Sequence, residues 1–192
     1  TPAPKIAKDY ITNEINKNNL GYTVSLGLPA LRTKISKLYG DWYNLDLNPN
    51  RIVVTTGSSG AFILSFSALF DSGDRVGIGS PSYPSYRQIL KSLSLETVDI
   101  QTKLQNRFQP VPEDITNNNL NGILVASPAN PTGSMLDKQS LENLINTANE
   151  NNVSFISDEI YHGIQYENNP TSAEVGLFLS LIHISEPTRP RS

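Results

Sequence analysis

The sequence has 192 residues, 38% hydrophobic and 17% charged, with a net charge of -3 at pH 7. That is one domain of ordinary size, or one plus a fragment; the charge is too low for a disordered chain and offers no basic face to nucleic acid. With no cysteine and only two histidines, His162 and His183, a disulfide scaffold, a thiolate metal site and a cysteine nucleophile are excluded, and a multi-histidine metal site is disfavoured.

In chain order, Ile6, Tyr10, Ile11 and Ile15 recur at helical spacing over residues 4–17. Pro29 opens a second predicted helix with Leu31, Ile35 and Leu38 as its buried stripe and Gly40 as its end. The β-branched run Ile52-Val53-Val54-Thr55-Thr56 predicts a first strand, followed by Gly57-Ser58-Ser59-Gly60 and an apolar helix from Ala61 to Phe70. Strands are then predicted at Arg75 to Ile78, Thr97 to Ile100, Gly122 to Ala126 and Val153 to Ser157. Helices fall at Ser85 to Leu93 and Asp137 to Asn149. This alternation predicts an α/β fold with a mostly parallel sheet and helices on both faces. In such sheets ligands lie beyond the carboxyl ends of the strands, so the residues after each strand are the informative ones.

No stretch approaches the ~20 apolar residues of a membrane span. The start, Thr1-Pro2-Ala3-Pro4, has no charged region followed by an apolar one, as a secretory signal would. The expectation is a soluble, cytoplasmic protein.

Four of the five predicted strands run into chemistry. Gly57-Ser58-Ser59-Gly60 opens a helix with small residues, which lets backbone N–H groups approach an anion; a plain strand-to-helix turn is the competing reading. It is neither a Walker A loop nor a G-x-G-x-x-G fingerprint. Pro81-Ser82-Tyr83-Pro84 stiffens a loop around an aromatic ring able to stack on a flat ligand, against the alternative of a packed tyrosine. Asn130-Pro131-Thr132-Gly133 fixes an amide at a strand mouth, and Asn130-Pro131 is a candidate cis bond; an ordinary Asn-Pro turn competes. Asp158-Glu159-Ile160-Tyr161 places an acid at the end of an apolar strand, either paired with a cation or capping the next helix.

Taken together, in this order and at these strand ends, the segments resemble the fold-type I, pyridoxal-phosphate-dependent aminotransferases of class I/II. The likeness covers roughly residues 1–170 and is most specific at Ser127 to Gly133 and Ser157 to Tyr166. The resemblance implies a partial large domain of the fold-type I transferase fold and pyridoxal 5'-phosphate as cofactor. Gly57, Ser58 and Ser59 would cradle its phosphate, and Tyr83 would stack on its ring. Asn130 and Tyr161 would bond the ring's phenolic oxygen, and Asp158 would pair with the pyridine nitrogen. Tyr22, in Gly21-Tyr22-Thr23-Val24, matches a tyrosine that reaches the neighbouring subunit's phosphate site, which implies a homodimer; a packing role at the helix entry is the alternative. The implied reaction moves an amino group between an amino acid and a 2-oxo acid. A lyase or synthase of the same fold, or the aminotransferase-like sensor domain of a transcription regulator, would share these cofactor residues.

The chain also departs from the family. Its Schiff-base lysine should follow Asp158, yet the last of eight lysines is Lys138, so no catalytic residue is assigned. The carboxylate-binding arginine expected near the family's C-terminus has no counterpart. From Leu179 onward the text, Leu-Ser-Leu-Ile-His-Ile-Ser-Glu-Pro-Thr-Arg, resembles translated read-through of a transposase-type sequencing adapter. Hence 1–20 is expected to be an N-terminal helix of the small or interdomain region, 21–178 an incomplete cofactor-binding domain, and 179–192 a non-native tail. His183 then carries no function, and His162 is a structural or rim residue. Half a sheet exposes a strand edge and a helix face, so the stretch alone is expected to fold poorly and to lack activity.

Overall fold

A computed structural model describes residues 2–17, 21–161 and 164, and the backbone of 182–184. His162 and Tyr166 lie outside the described residues, as does the side chain of His183. Among the described residues there are six α-helices: α1 (Lys5–Asn16), α2 (Pro29–Tyr43), α3 (Ser58–Leu69), α4 (Pro84–Ser92), α5 (Pro112–Asn117) and α6 (Lys138–Glu150). Five strands accompany them: β1 (Arg75–Ser80), β2 (Glu96–Gln101), β3 (Gly122–Ala126), β4 (Ser154–Asp158) and β5 (Ile182–Ile184). They form one sheet in the order β2-β1-β3-β4-β5, with every pairing parallel.

Proline at the first helical position starts α2, α4 and α5, where its fixed φ suits the helix and its missing N–H costs nothing. The Asp137 side chain caps α6 by accepting from the Ser140 amide at 2.8 Å. Side chains alternate across the sheet. Val76, Ile78, Leu124 and Ile156 pack beneath α3 and α4 with Phe62, Phe66, Tyr86 and Leu90. Ile123, Val125, Phe155 and Ile100 face the other way, against Ile115 of α5 and Leu141, Leu144 and Ile145 of α6. Burial on both faces explains why β3 reads as an unbroken apolar run. At the start of β3, Gly122 leaves room for a ring: a Cβ there would lie 2.2 Å from Phe70 Cζ.

Two expectations change. The run Ile52–Thr56 joins no ladder among the described residues; Ile52 is extended, and Val54 N–H donates to Leu26 O at 3.0 Å instead. Its β-branched residues favour extended backbone, but a strand also needs a neighbour. Gly40 does not end α2; the helix runs to Tyr43 and closes on Asn44, which is left-handed at φ 54°. The backbone of 182–184 forms β5, paired with β4 from Ile156 to Asp158. No helix among the described residues is long and apolar enough to cross a membrane.

Candidate active site

The strand order fixes where a ligand can sit. From β1 the chain steps outward to β2 in one direction and to β3, β4 and β5 in the other. The helix after β1 covers one face, and α5 and α6 cover the opposite face. The reversal falls between β1 and β3, where diverging connections leave a crevice at the carboxyl ends. A shallow open cleft occurs there, lined by Gly79, Ser82, Tyr86, Phe108, Gln109 and Asn130 among others.

At the mouth of β4, Asp158 is 3% exposed. Removal of a carboxylate from water is costly unless donors replace the solvent. Two donors are in place: the Tyr86 hydroxyl donates to Oδ2, and the Ile160 amide donates to Oδ1 at 3.1 Å. The Ile160 contact is a local turn bond two residues on, and it coexists with the long-range partner. Tyr86 is buried, in edge contact with Phe62 of α3 at 5.2 Å and with Tyr83 at 5.6 Å between ring centres. Burial first, and the neighbouring Asp158 charge second, push the Tyr86 phenol well above the usual tyrosine range, so it stays protonated and donating.

The loop after β3 runs from Ser127 to Ser134. Its base continues the β3–β4 pairing, with the Ser127 amide donating to Asp158 O at 3.1 Å, and the Ser127 hydroxyl accepts from the Leu136 amide at 3.0 Å. Ser80–Pro81, Ser127–Pro128 and Asn130–Pro131 are cis, the last as the sequence predicts. Asn130 Nδ2 donates to the Tyr161 hydroxyl at 3.4 Å, a long contact that leaves both groups able to bond a third partner.

Gly57 precedes α3 with φ 86°, a conformation that side chains rarely adopt, and nothing lies within 4 Å of where its Cβ would be. The amides of the first turn of α3, from Ser58 onward, have no intrahelical acceptor and face the open end, as any helix start does. Tyr83 caps α4 and is 39% exposed, which leaves a ring face available.

The structure therefore brings Tyr83, Asn130, Asp158 and Tyr161 to one end of the sheet and connects them to α3 through Phe62. It does not bring Tyr22 there; that side chain is fully exposed and serves no packing role in this chain. Two residues escape the sequence reading. Tyr86 sits one helical turn after Tyr83, and that i, i+3 spacing is a usable signal. Gln109, buried beside the loop after β3, has no sequence signal.

Such a mouth, with amides at a helix start, a ring face, an amide–phenol pair and a buried carboxylate, suits a flat ligand carrying both an anionic group and a cationic nitrogen. Comparison with known proteins supplies the family. The sequence model for aminotransferase class I and II matches residues 2–183, and the chain belongs to that family. It is 41% identical over 173 residues to the valine–pyruvate aminotransferase of Mycobacterium tuberculosis, covering 89% of this chain and 45% of the relative. It is 34% identical over 176 residues to the aspartate aminotransferase of Thermotoga maritima, covering 89% and 46%. Among solved structures, an aminotransferase from Mycobacterium tuberculosis is 42% identical with a TM-score of 0.85, covering 88% of this chain and 47% of that one. The chain thus spans less than half the length of these relatives.

Proposed function

We propose that the protein to which this chain belongs is a pyridoxal-phosphate-dependent aminotransferase that moves an amino group between an amino acid and a 2-oxo acid. The observation that carries the reading is Asp158, a buried carboxylate at the strand mouth, held by Tyr86 and the Ile160 amide beside the Asn130–Tyr161 pair. The donor set fits the cofactor. A phosphate dianion suits the Gly57-Ser58-Ser59 helix start, where the amides face outward and the open side of Gly57 admits close approach. Tyr83 offers a ring face, Asn130 and Tyr161 offer donors to a phenolic oxygen, and Asp158 offers an acceptor to a ring N–H.

When bound, the cofactor supplies an electron sink for the substrate's Cα electrons. The role of Asp158 is to hold a proton on the pyridine nitrogen, and the role of Tyr86 is to hold Asp158 in place. Asn130 and Tyr161 fix the ring's rotation by gripping its oxygen. The exposed Tyr22 would complete the phosphate site of a second subunit in a homodimer. The relatives named above differ in substrate, valine with pyruvate in one and aspartate in another, so the amino acid is left as a class. The protein is proposed to work in the cytoplasm. These 192 residues contain no lysine after Lys138, so the stretch alone is expected to show no transamination. Within it, 21–178 is proposed as the incomplete cofactor domain and 179–192 as non-native sequence, testable by resequencing the source DNA through codon 192 and beyond.

The test is cofactor titration of the complete protein. Visible absorbance should develop with pyridoxal 5'-phosphate, and Asp158→Ala should weaken binding by a factor of about 100, as expected when one partner of a buried charge pair is removed. A folded complete protein that develops no visible absorbance would sink the reading.

A further inference from the structure

Gln109 is a buried polar residue with an unusual delivery. It is 3% exposed. The residues that lead to it form a tight knot: a single 3-10 turn over Leu104–Asn106, then Arg107 and Phe108 in succession in the left-handed region at φ 53° and 54°. Neither residue is glycine or asparagine, and each such conformation costs on the order of 1 kcal/mol or more, so the surrounding structure must hold it. Three backbone bonds do so: Arg107 N–H to Leu104 O at 2.9 Å, Phe108 N–H to Lys103 O at 2.9 Å, and Gln109 N–H to Asn106 O at 3.0 Å.

The knot presents one amide. Gln109 Nε2 donates to Ala126 O at 3.1 Å and to Ser134 O at 3.1 Å, with Ser134 Oγ at 3.2 Å. Ala126 is the last residue of β3, and Ser134 lies where the following loop returns. A single NH2 group thus ties both ends of the loop that carries Asn130. The loop's own bonds, Ala129 N–H to Ser134 O at 2.9 Å and Gly133 N–H to Ala129 O at 2.7 Å, set its internal shape. They do not fix its angle to the sheet; the Gln109 tie and the Ser127 anchor do. Phe108 and Gln109 also line the cleft with Asn130, so the knot and the loop form adjoining walls of one space.

We infer that Gln109 is a positioning residue for Asn130: it clamps the ends of the Ser127–Ser134 loop so that the Asn130 amide is aimed at the ring oxygen of the cofactor, which Gln109 itself does not touch. The inference rests on the Asn130 role proposed above, and the experiment separates the two. The cofactor-free complete protein is titrated with pyridoxal 5'-phosphate and with its 3-deoxy analogue, which lacks the ring oxygen. Asn130→Ala should weaken the first by about ten-fold, the scale of one lost hydrogen bond, and leave the second unchanged. Gln109→Met and Gln109→Leu keep the bulk and remove the donor. Both are made so that a folding defect in one leaves the other to read, with thermal midpoints of the cofactor-free proteins as the check. Each should weaken the natural cofactor about five- to ten-fold with little effect on the analogue. Either variant combined with Asn130→Ala should bind no more weakly than Asn130→Ala alone, because the two act through one contact. If the Gln109 variants weaken both ligands equally, or add fully to Asn130→Ala, the positioning role is overturned while the Asn130 role stands. If Asn130→Ala itself shows no preference between the ligands, the Asn130 role falls, and this inference with it.

Discussion

The mouth of β3 and β4 and the first helix are opposite kinds of surface. At the mouth, polar groups are buried and each has a partner: Asp158 with Tyr86, Ser157 with Glu159, Gln109 with Ala126 and Ser134. On α1 the apolar groups are exposed; Ile6 is 81% exposed, Tyr10 66% and Ile11 54%, and the helix buries no residue. A buried polar group costs desolvation to keep and persists where a partner holds it. An exposed apolar stripe marks a face that the described residues do not cover. The two regions call for different experiments: substitutions at the mouth should be felt at once, and those on α1 should not.

The largest effect is expected at Tyr86. Tyr86→Phe keeps the ring packing against Phe62 and removes the donor to Asp158, and a hydrogen bond to a charged group is worth about 1.5–3 kcal/mol. Urea unfolding of the complete protein should show that loss at neutral pH. A pH signature should accompany it. The Tyr86 phenol is raised in the folded state, chiefly by burial, so above pH ~10 the unfolded chain gives up this proton while the folded chain keeps it. Stability therefore falls as pH rises beyond ~10, by up to ~1.4 kcal/mol per pH unit for this one proton, and Tyr86→Phe should flatten the slope accordingly. An unchanged slope would show that Tyr86 ionises as an ordinary tyrosine.

A smaller effect is expected at the foot of β3. Gly122→Ala drives a methyl group into the Phe70 ring and should cost about 1–3 kcal/mol by overpacking, read as a lower thermal midpoint. The smallest is expected on α1, where Ile11→Ser in the complete protein should change unfolding stability by less than about 0.5 kcal/mol. A large loss there would mean that α1 is covered in solution and that the contrast between the two regions is false.

The parallel core was legible because its signals are local and redundant. Gly122 to Ala126 and Val153 to Ser157 carry apolar runs of strand length between turn residues, and both become strands to within a residue. Ile52–Thr56 carries the same β-branched signal and forms no ladder, because pairing depends on a neighbour that local propensity does not encode. Gly40 was misleading for a related reason: a glycine inside a helix is a modest penalty, which the burial of Arg32 and Tyr39 earlier in the same helix outweighs. In the site, Asn130 and Asp158 stood out by the turns and strand ends they occupy. Gln109 did not, since it acts through partners 17 and 25 residues away, and Tyr86 showed only its i, i+3 spacing from Tyr83, because its partner lies 72 residues away.

The contact between Phe70 and Gly122 has a mechanical side. Phe70 caps the C-terminal end of α3, and Gly122 is the first residue of β3, so helix and strand are pinned together at the end of the sheet remote from the site. From that pivot α3 runs some ~18 Å to the amides at Ser58, while β3 runs to the loop that holds Asn130. The gap between the proposed anion cradle and the Asn130 amide is the far end of a pair of callipers hinged at one ring on one glycine. A methyl group at the hinge would alter the spacing at the tips, and could be felt as weaker cofactor binding by a residue that never comes near the cofactor.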